Sequence, residues 1–112
     1  MGNLDYLKEI NHNRNQYEQS LYDSNSNVDL LKLMRVQKSL VYFVTALRSN
    51  EMLMMKLERT NFLGLNEEER EFLNDLIVDT SQALEMANIY TNILTSTLDA
   101  FASIISNNLN NV

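Results

Sequence analysis

Apolar side chains recur at steps of three and four residues along three long segments, which is the spacing of one face of an α-helix. The pattern predicts helices over residues 4–22, 28–58 and 66–112. The third segment contains neither proline nor glycine, so we expect one uninterrupted helix about 70 Å long. A compact domain of this size is narrower than that, so the helix should project as a stalk or pack along other long helices.

Two short breaks separate the predicted helices. Residues 23–27, Asp-Ser-Asn-Ser-Asn, favour a turn because such side chains bond to their own backbone. In the second break Gly64 can adopt a positive φ, and Asn66 followed by Glu69 predicts a capping box. Short connections favour antiparallel neighbours, so the predicted fold class is all-α, with two to three long antiparallel helices and coiled-coil-like packing.

The second predicted helix carries two adjacent apolar stripes, an arc wide enough for two neighbours. One stripe consists of Leu30, Leu33, Leu40, Val44, Leu47 and Met54, and the other of Leu31, Met34, Val41, Met52 and Met55. Residues 41–45 are rich in β-branched and aromatic side chains and could form a strand, although the flanking periodicity favours helix. The methionines Met52, Met54 and Met55 fit either adaptable core filler or an exposed apolar patch for a further domain or subunit.

The third predicted helix has an apolar seam and a polar stripe, and both advance by steps of three and four residues. The seam, close to a coiled-coil pattern, consists of Leu73, Ile77, Leu84, Ala87, Leu94, Leu98, Phe101 and Ile105. The polar stripe consists of Glu85, Asn88, Asn92, Thr95, Asp99, Ser103, Ser106 and Asn110. Such a stripe can be a solvated face, but those faces are usually rich in Glu, Lys and Arg. Short polar side chains also suit a close, wet helix contact or the lining of a water-filled funnel.

Charge is distributed unevenly between the second and third predicted helices. Residues 66–112 contain eight acids and one base, whereas residues 28–60 contain three acids and six bases. We expect this complementarity to favour their pairing. The net charge of −6 makes a nucleic-acid partner improbable, because phosphate contacts need clustered Lys and Arg.

Composition removes several classes of function. The chain has no cysteine, which excludes disulfides and thiolate metal sites, and 45% apolar residues, which is enough for a core. His12 is the only histidine and lies in a polar run, where a solvated surface position is expected. No glycine-rich phosphate loop is present, and a single histidine cannot supply the two Glu-x-x-His pairs of a di-metal helical bundle, so we expect a protein that is not an enzyme. No apolar window is long enough to span a bilayer, and no signal peptide is evident.

Three stretches resemble the cytoplasmic part of CorA-type magnesium transporters, the two-transmembrane family with a Gly-Met-Asn filter. The stretch 37–51, which includes Gln-Lys-Ser-Leu-Val-Tyr-Phe, resembles the helix that precedes the stalk. The stretch 83–94, Ala-Leu-Glu-Met-Ala-Asn-Ile-Tyr-Thr-Asn-Ile-Leu, resembles the stalk helix, and the stretch 98–110 resembles the part before the first membrane segment. The family's N-terminal α/β domain, both membrane helices and the filter are missing from these 112 residues.

The resemblance implies a homopentamer at the cell membrane, in which five stalk helices on the cytoplasmic side form a funnel that feeds the ion pore. Asp99 and Asn110 would then match polar rings near the pore mouth. Asp75 would match a carboxylate of a regulatory divalent-cation site, with Asp79 as a nearby candidate. Magnesium, or another divalent cation, would be both the transported and the regulatory ion.

A second interpretation stays open, in which the chain is a soluble helical-hairpin module that binds a partner helix through its seam. Under either interpretation one hairpin cannot cover both apolar stripes of the second helix and the seam of the third. We therefore predict that the chain self-associates.

Overall fold

Three α-helices form the fold of the residues that the computed structural model describes, namely 2–24, 27–61 and 63–110, without the side chains of 24, 105 and 107–110. Helix α1 spans Asn3–Ser24, α2 spans Asn27–Thr60 and α3 spans Glu67–Asn110. These bounds differ from the predicted ones by at most two residues. The all-α fold class is confirmed, and no strand occurs in the described ranges.

The first two helices run antiparallel and are joined by contacts along the whole of α1. Near the start of α1, the ring of Tyr6 lies 4.9 Å from that of Phe43. Near its end, the Lys32 ammonium lies 5.4 Å from the ring centre of Tyr17. Since residue numbers rise along α1 as they fall along α2, the helices form a hairpin; residues 25 and 26 of the predicted turn lie outside the described residues.

Helices α2 and α3 form a second, longer antiparallel hairpin. The hydroxyl of Ser81 donates a 2.6 Å hydrogen bond to Glu51 across it. Helix α1 runs parallel to α3, because the ring of Tyr22 lies 5.0 Å from that of Phe101 near the C-terminal end of both helices. The molecule measures 69 × 23 × 16 Å, so the predicted long stalk helix sets its length.

The core lies between the three helices over the length of α1. Its largest fully buried side chains are Leu7, Leu33, Leu40 and Leu94, one or two from each helix. Complete burial of each such leucine contributes about 1.5–3 kcal/mol to folding. The predicted seam of α3 is buried or half-buried at every described position, which confirms its role, whereas the side chain of Ile105 lies outside the described residues.

Helix α1 is only half as long as α3, so it does not reach the end of the hairpin where α2 connects to α3. That end contains two helices, and more of its surface is exposed to solvent. Apolar side chains there remain open to solvent, among them Met52 at 72% and Phe72 at 65% exposure. The second apolar stripe of α2 is also exposed along its length. The wide arc on α2 therefore has one side that contacts α1 and α3 and one side that contacts neither.

Local backbone chemistry defines the connection between α2 and α3. Asn61 has a φ of 47° and its N–H donates to the Leu57 carbonyl, which ends α2 with a left-handed residue. Gly64 has the predicted positive φ, 61°. The capping box is confirmed, because the Glu69 N–H donates to Asn66 Oδ1 at 2.8 Å and the Asn66 N–H donates to Glu69 Oε1 at 3.1 Å.

The segment that could have formed a strand, residues 41–45, is helical. The Thr45 hydroxyl donates to the Val41 carbonyl one turn earlier at 2.8 Å, so this side chain bonds within the helix. Periodicity over the whole of α2 therefore outweighs the local β-propensity of this segment.

Candidate functional site

The polar stripe of α3 lies on the surface of the described chain. Each of its members from Glu85 to Ser106 is exposed. Asn110 is the last residue of α3, and its side chain lies outside the described residues. From Asn88 to Ser106 the stripe has one charged side chain, Asp99.

The stripe is exposed because the seam beside it faces the other two helices. Asn88 directly follows Ala87, which is buried on the seam, and Asn92 directly follows Thr91, which is half-buried in line with the seam. One residue corresponds to about 100° of rotation in an α-helix, so the amides are turned away from α2 while their neighbours contact it.

Asp99 borders an open groove of about 340 Å³ between α2 and α3. Its walls are Leu30, Met34, Gln37, Thr95, Leu98, Asp99 and Ala102. Asp99 itself is exposed, and within the described residues it has neither a hydrogen bond nor an ion pair. The carboxylate is therefore open to water and to any cation that approaches α3 from this side.

Asp75 and Asp79 lie one turn apart on the exposed surface in the N-terminal half of α3. No third histidine, cysteine or acid joins them to make a metal-binding group within the described part of the chain. Magnesium requires six oxygen ligands, of which several are usually water. One copy of the chain thus supplies two carboxylates of the predicted site, which remains a prediction.

A buried polar network joins α1 to α3, and the sequence pattern indicated only the pair within α1. Arg14 occupies a position between Ile10 and Tyr17 where an apolar residue would continue the helical spacing, and it is 7% exposed. Its guanidinium donates to Glu18 Oε2 at 2.7 Å and twice to Asn11 Oδ1, at 2.8 and 3.1 Å. The other carboxylate oxygen, Glu18 Oε1, accepts a 3.0 Å hydrogen bond from Thr97 on α3. The detectable signal was an arginine at an apolar position with an acid four residues later.

A second polar link joins α1 to α2 near their turn. The Ser20 hydroxyl donates to Asp29 Oδ2 at 2.8 Å, and Asp29 is 8% exposed. Neither residue lies on a predicted stripe, so periodicity gave no reason to single them out. Together with the Arg14 network, this link fixes the position of α1 along the other two helices.

The fold and the stripe define a class of elongated helical protein whose long helix presents a weakly charged polar face. The family model described as "CorA-like Mg2+ transporter protein" matches residues 2–112. The cobalt/magnesium transport protein CorA of Methanocaldococcus jannaschii is 32% identical over 81 residues, which cover 72% of this chain and 26% of that protein. No solved structure matches the chain.

The chain belongs to the CorA-like Mg2+ transporter family, as the resemblance of its helices predicted. This is a family of divalent-cation transporters of the membrane and not of enzymes. The chain spans about a quarter of the length of the curated relative that it matches. None of the described helices carries an apolar stretch sufficient to cross a bilayer.

Proposed function

We propose that this chain forms the cytoplasmic stalk of a CorA-like transporter that carries magnesium or another divalent cation across the cell membrane. In this proposal the chain assembles with four copies of itself, and α3 of each copy turns its polar stripe toward a central ion path. Asp99 and Asn110 form polar rings near the pore mouth. The membrane-spanning part belongs to a longer protein that contains this chain.

The observation that carries the proposal is the exposed, weakly charged face of α3 in a chain of this family. Magnesium loses its first-shell water reluctantly, so a path that conducts it must accept a hydrated ion. Amide and hydroxyl oxygens accept hydrogen bonds from such water without binding the ion tightly. Weak, repeated contacts are what conduction requires, because the ion must leave each position as readily as it arrives.

Asp99 is the one charged side chain that the stripe contributes to this path between Asn88 and the pore mouth. A ring of these carboxylates raises the local concentration of divalent cations without a fixed coordination cage. Asp99 is exposed and forms no ion pair within the described chain, so its charge is available to the ion.

Asp75 and Asp79 are proposed to contribute to a regulatory divalent site between subunits. Their two carboxylates on one copy require oxygen ligands from a neighbouring chain or segment. When magnesium leaves, uncompensated carboxylates repel each other, and the stalks rearrange toward the conducting state. The ion thus limits its own uptake when it is abundant.

Ion uptake by cells that depend on this transporter tests the pore-mouth assignment. The longer protein that contains the chain is expressed in a strain without other magnesium uptake, as wild type, Asp99→Asn and Asp99→Lys. We expect Asp99→Asn to reduce the initial uptake rate and Asp99→Lys to reduce it at least about tenfold, which corresponds to 1.4 kcal/mol in the barrier. Glu68→Gln, which removes an exposed acid of α3 outside the stripe, is the matched control.

Wild-type uptake in Asp99→Lys, at equal amounts of protein in the membrane, would contradict the pore-mouth role. Absence of any divalent-cation uptake by the wild-type protein would contradict the transport function itself. The interaction-module interpretation would then be preferred.

A further inference from the structure

The polar stripe of α3 is bordered on both sides by exposed apolar side chains. On α2 the second stripe, here called the α2 row, has exposures from 45% to 72%, and it consists of Leu31, Met34, Val41, Met52 and Met55. On α3 a separate α3 row consists of Ile89, Ile93, Ala100 and Ile104, and its three isoleucines are 42% to 50% exposed. Exposed apolar side chains grouped in rows on a water-exposed protein indicate an interaction site.

The two rows lie on opposite sides of the stripe. Met34 of the α2 row lines the same groove as Asp99, which places the α2 row along one border. Ile89 and Ile93 each follow a stripe asparagine by one residue, about 100° further around α3 and away from the seam. A partner that covers either row therefore leaves the stripe between the rows uncovered.

The two rows also lie at corresponding positions along the length of the hairpin. Met34 lies beside Thr95 in the groove, and Glu51 bonds to Ser81. Since α2 and α3 run antiparallel, Val41 falls between these two levels and lies opposite Ile89. Leu31 falls in the same way within about two residues of Ala100. Leu31, Met34 and Val41 of the α2 row thus share one half of the hairpin with the α3 row, whereas Met52 and Met55 lie in the other half.

Charges on the same two surfaces match at the other half of the hairpin. Arg48 and Arg59 lie on the side of α2 that carries the α2 row, while Glu71 lies on the side of α3 that carries the α3 row and Glu85 belongs to the polar stripe beside it. By the same antiparallel relation, Arg59 lies at the level of Glu71, and Arg48 lies within about one turn of Glu85. The only ion pair among the described residues joins Arg14 to Glu18, so none of these four charges is neutralised within the chain.

We propose that the α2 row of one copy packs against the α3 row of a second copy that points in the same direction. Apolar side chains then meet apolar ones at one level, and arginine meets glutamate at the other. The contact is heterologous, so every copy uses both rows and the arrangement can close into a ring. Each stripe lies between two such contacts and faces the ring axis. This contact rests on the proposed stalk function, and it identifies the two surfaces through which neighbouring subunits of the stalk meet.

A symmetric α2-to-α2 dimer is the competing use of the α2 row. It would bring Arg48 and Arg59 of each copy into one interface against one acid per copy, Glu58, which lines the same surface as Met52 and Met55. Like charges across an interface suppress such a pairing. Charge thus favours the α3 row as the surface that the α2 row contacts.

Disulfide cross-linking tests the contact in the 112-residue chain, which has no natural cysteine. Val41→Cys with Ile89→Cys places the two thiols at one level on facing rows, and a disulfide between them requires a Cα separation of about 4.4–6.8 Å. Both positions are exposed, so the core is unchanged, and circular dichroism verifies the helix content. Under mild oxidation we expect a ladder of dimers, trimers and higher species from this variant on a non-reducing gel.

Two controls separate this contact from other associations. Met52→Cys with Ile89→Cys uses the same rows but offsets the thiols by about 15 Å along the helices, so we expect no ladder. Val41→Cys alone tests the symmetric dimer, and a cross-linked dimer from it would overturn the proposal. Equal cross-linking of both double variants, or none from either, would also overturn it.

The outcome is distinguishable from that of the uptake experiment. A ladder from Val41→Cys with Ile89→Cys, together with wild-type uptake in Asp99→Lys, keeps the contact and removes the pore-mouth role. Loss of uptake in Asp99→Lys without the ladder keeps the pore-mouth role and removes this contact.

Discussion

Replacement of Arg14 by alanine should destabilise the protein far more than replacement of an exposed arginine. The guanidinium is the cation of a pair whose side chains are 9% and 12% exposed. Arg14→Ala removes a 2.7 Å charge-assisted hydrogen bond and both donors to Asn11. It leaves the Glu18 carboxylate in the α1–α3 interface, with Thr97 as its remaining hydrogen-bond donor.

The expected loss in the free energy of unfolding follows from the Glu18 charge that remains in the interface. Breaking a buried ion pair by removal of one partner costs about 3–5 kcal/mol, because the other charge stays desolvated. Glu18 retains some contact with water, so we expect the lower end, about 3 kcal/mol. For a chain of this length that corresponds to a decrease in Tm of roughly 12 °C.

Urea unfolding followed by circular dichroism at one fixed protein concentration measures this cost, because self-association makes apparent stability depend on concentration. Arg35→Ala is the matched control, since Arg35 is exposed and should change the free energy of unfolding by less than about 0.5 kcal/mol. Arg14→Met with Glu18→Leu should recover most of the loss, because apolar side chains can replace a buried pair with little net cost. In that double variant the Thr97 hydroxyl keeps the Ile93 carbonyl as acceptor. A loss below about 0.5 kcal/mol for Arg14→Ala would refute the reasoning.

Two further predictions concern the ends of the long hairpin and the regulatory site. Asn66→Ala removes the side-chain acceptor of the capping box and should lower the free energy of unfolding by about 1 kcal/mol in the same urea assay; an unchanged value would show that the first turn of α3 does not limit stability. Asp75→Ala in the longer transporter should shift the inhibition of uptake by internal magnesium to higher concentration, and unchanged magnesium-dependent gating would remove Asp75 as a ligand.

Local features of the sequence were sufficient to predict the helices. The seam from Leu73 to Phe101 repeats at helical spacing over many turns, so its burial follows from one face packing on a neighbour. Asn66, Glu69 and Gly64 form their contacts within a few residues, and such chemistry is visible in sequence without knowledge of the tertiary fold.

Features that depend on how α1 lies against the other helices could not be predicted in this way. The burial of Arg14 requires Thr97, which is 83 residues further along the chain, to face the same interface. Asp29 is buried although it occupies the first turn of α2, where an acid usually faces solvent. Within the described residues no further acid or histidine joins Asp75 and Asp79 into a metal-binding group, and ligands from a second subunit leave no signal in the periodicity of one chain.

The uneven charge of α2 and α3 predicted that their complementarity would favour pairing, and the contacts between them are mainly apolar. Within the described residues no ion pair joins them, and Ser81 donates a hydrogen bond to Glu51 across the hairpin. The interface consists mainly of apolar side chains, so its stability comes from burial and would persist at high salt. The basic surface of α2 and the acidic surface of α3 therefore remain available to a neighbour. If the neighbour is a second copy, raising the salt concentration should weaken the assembly while each hairpin stays folded.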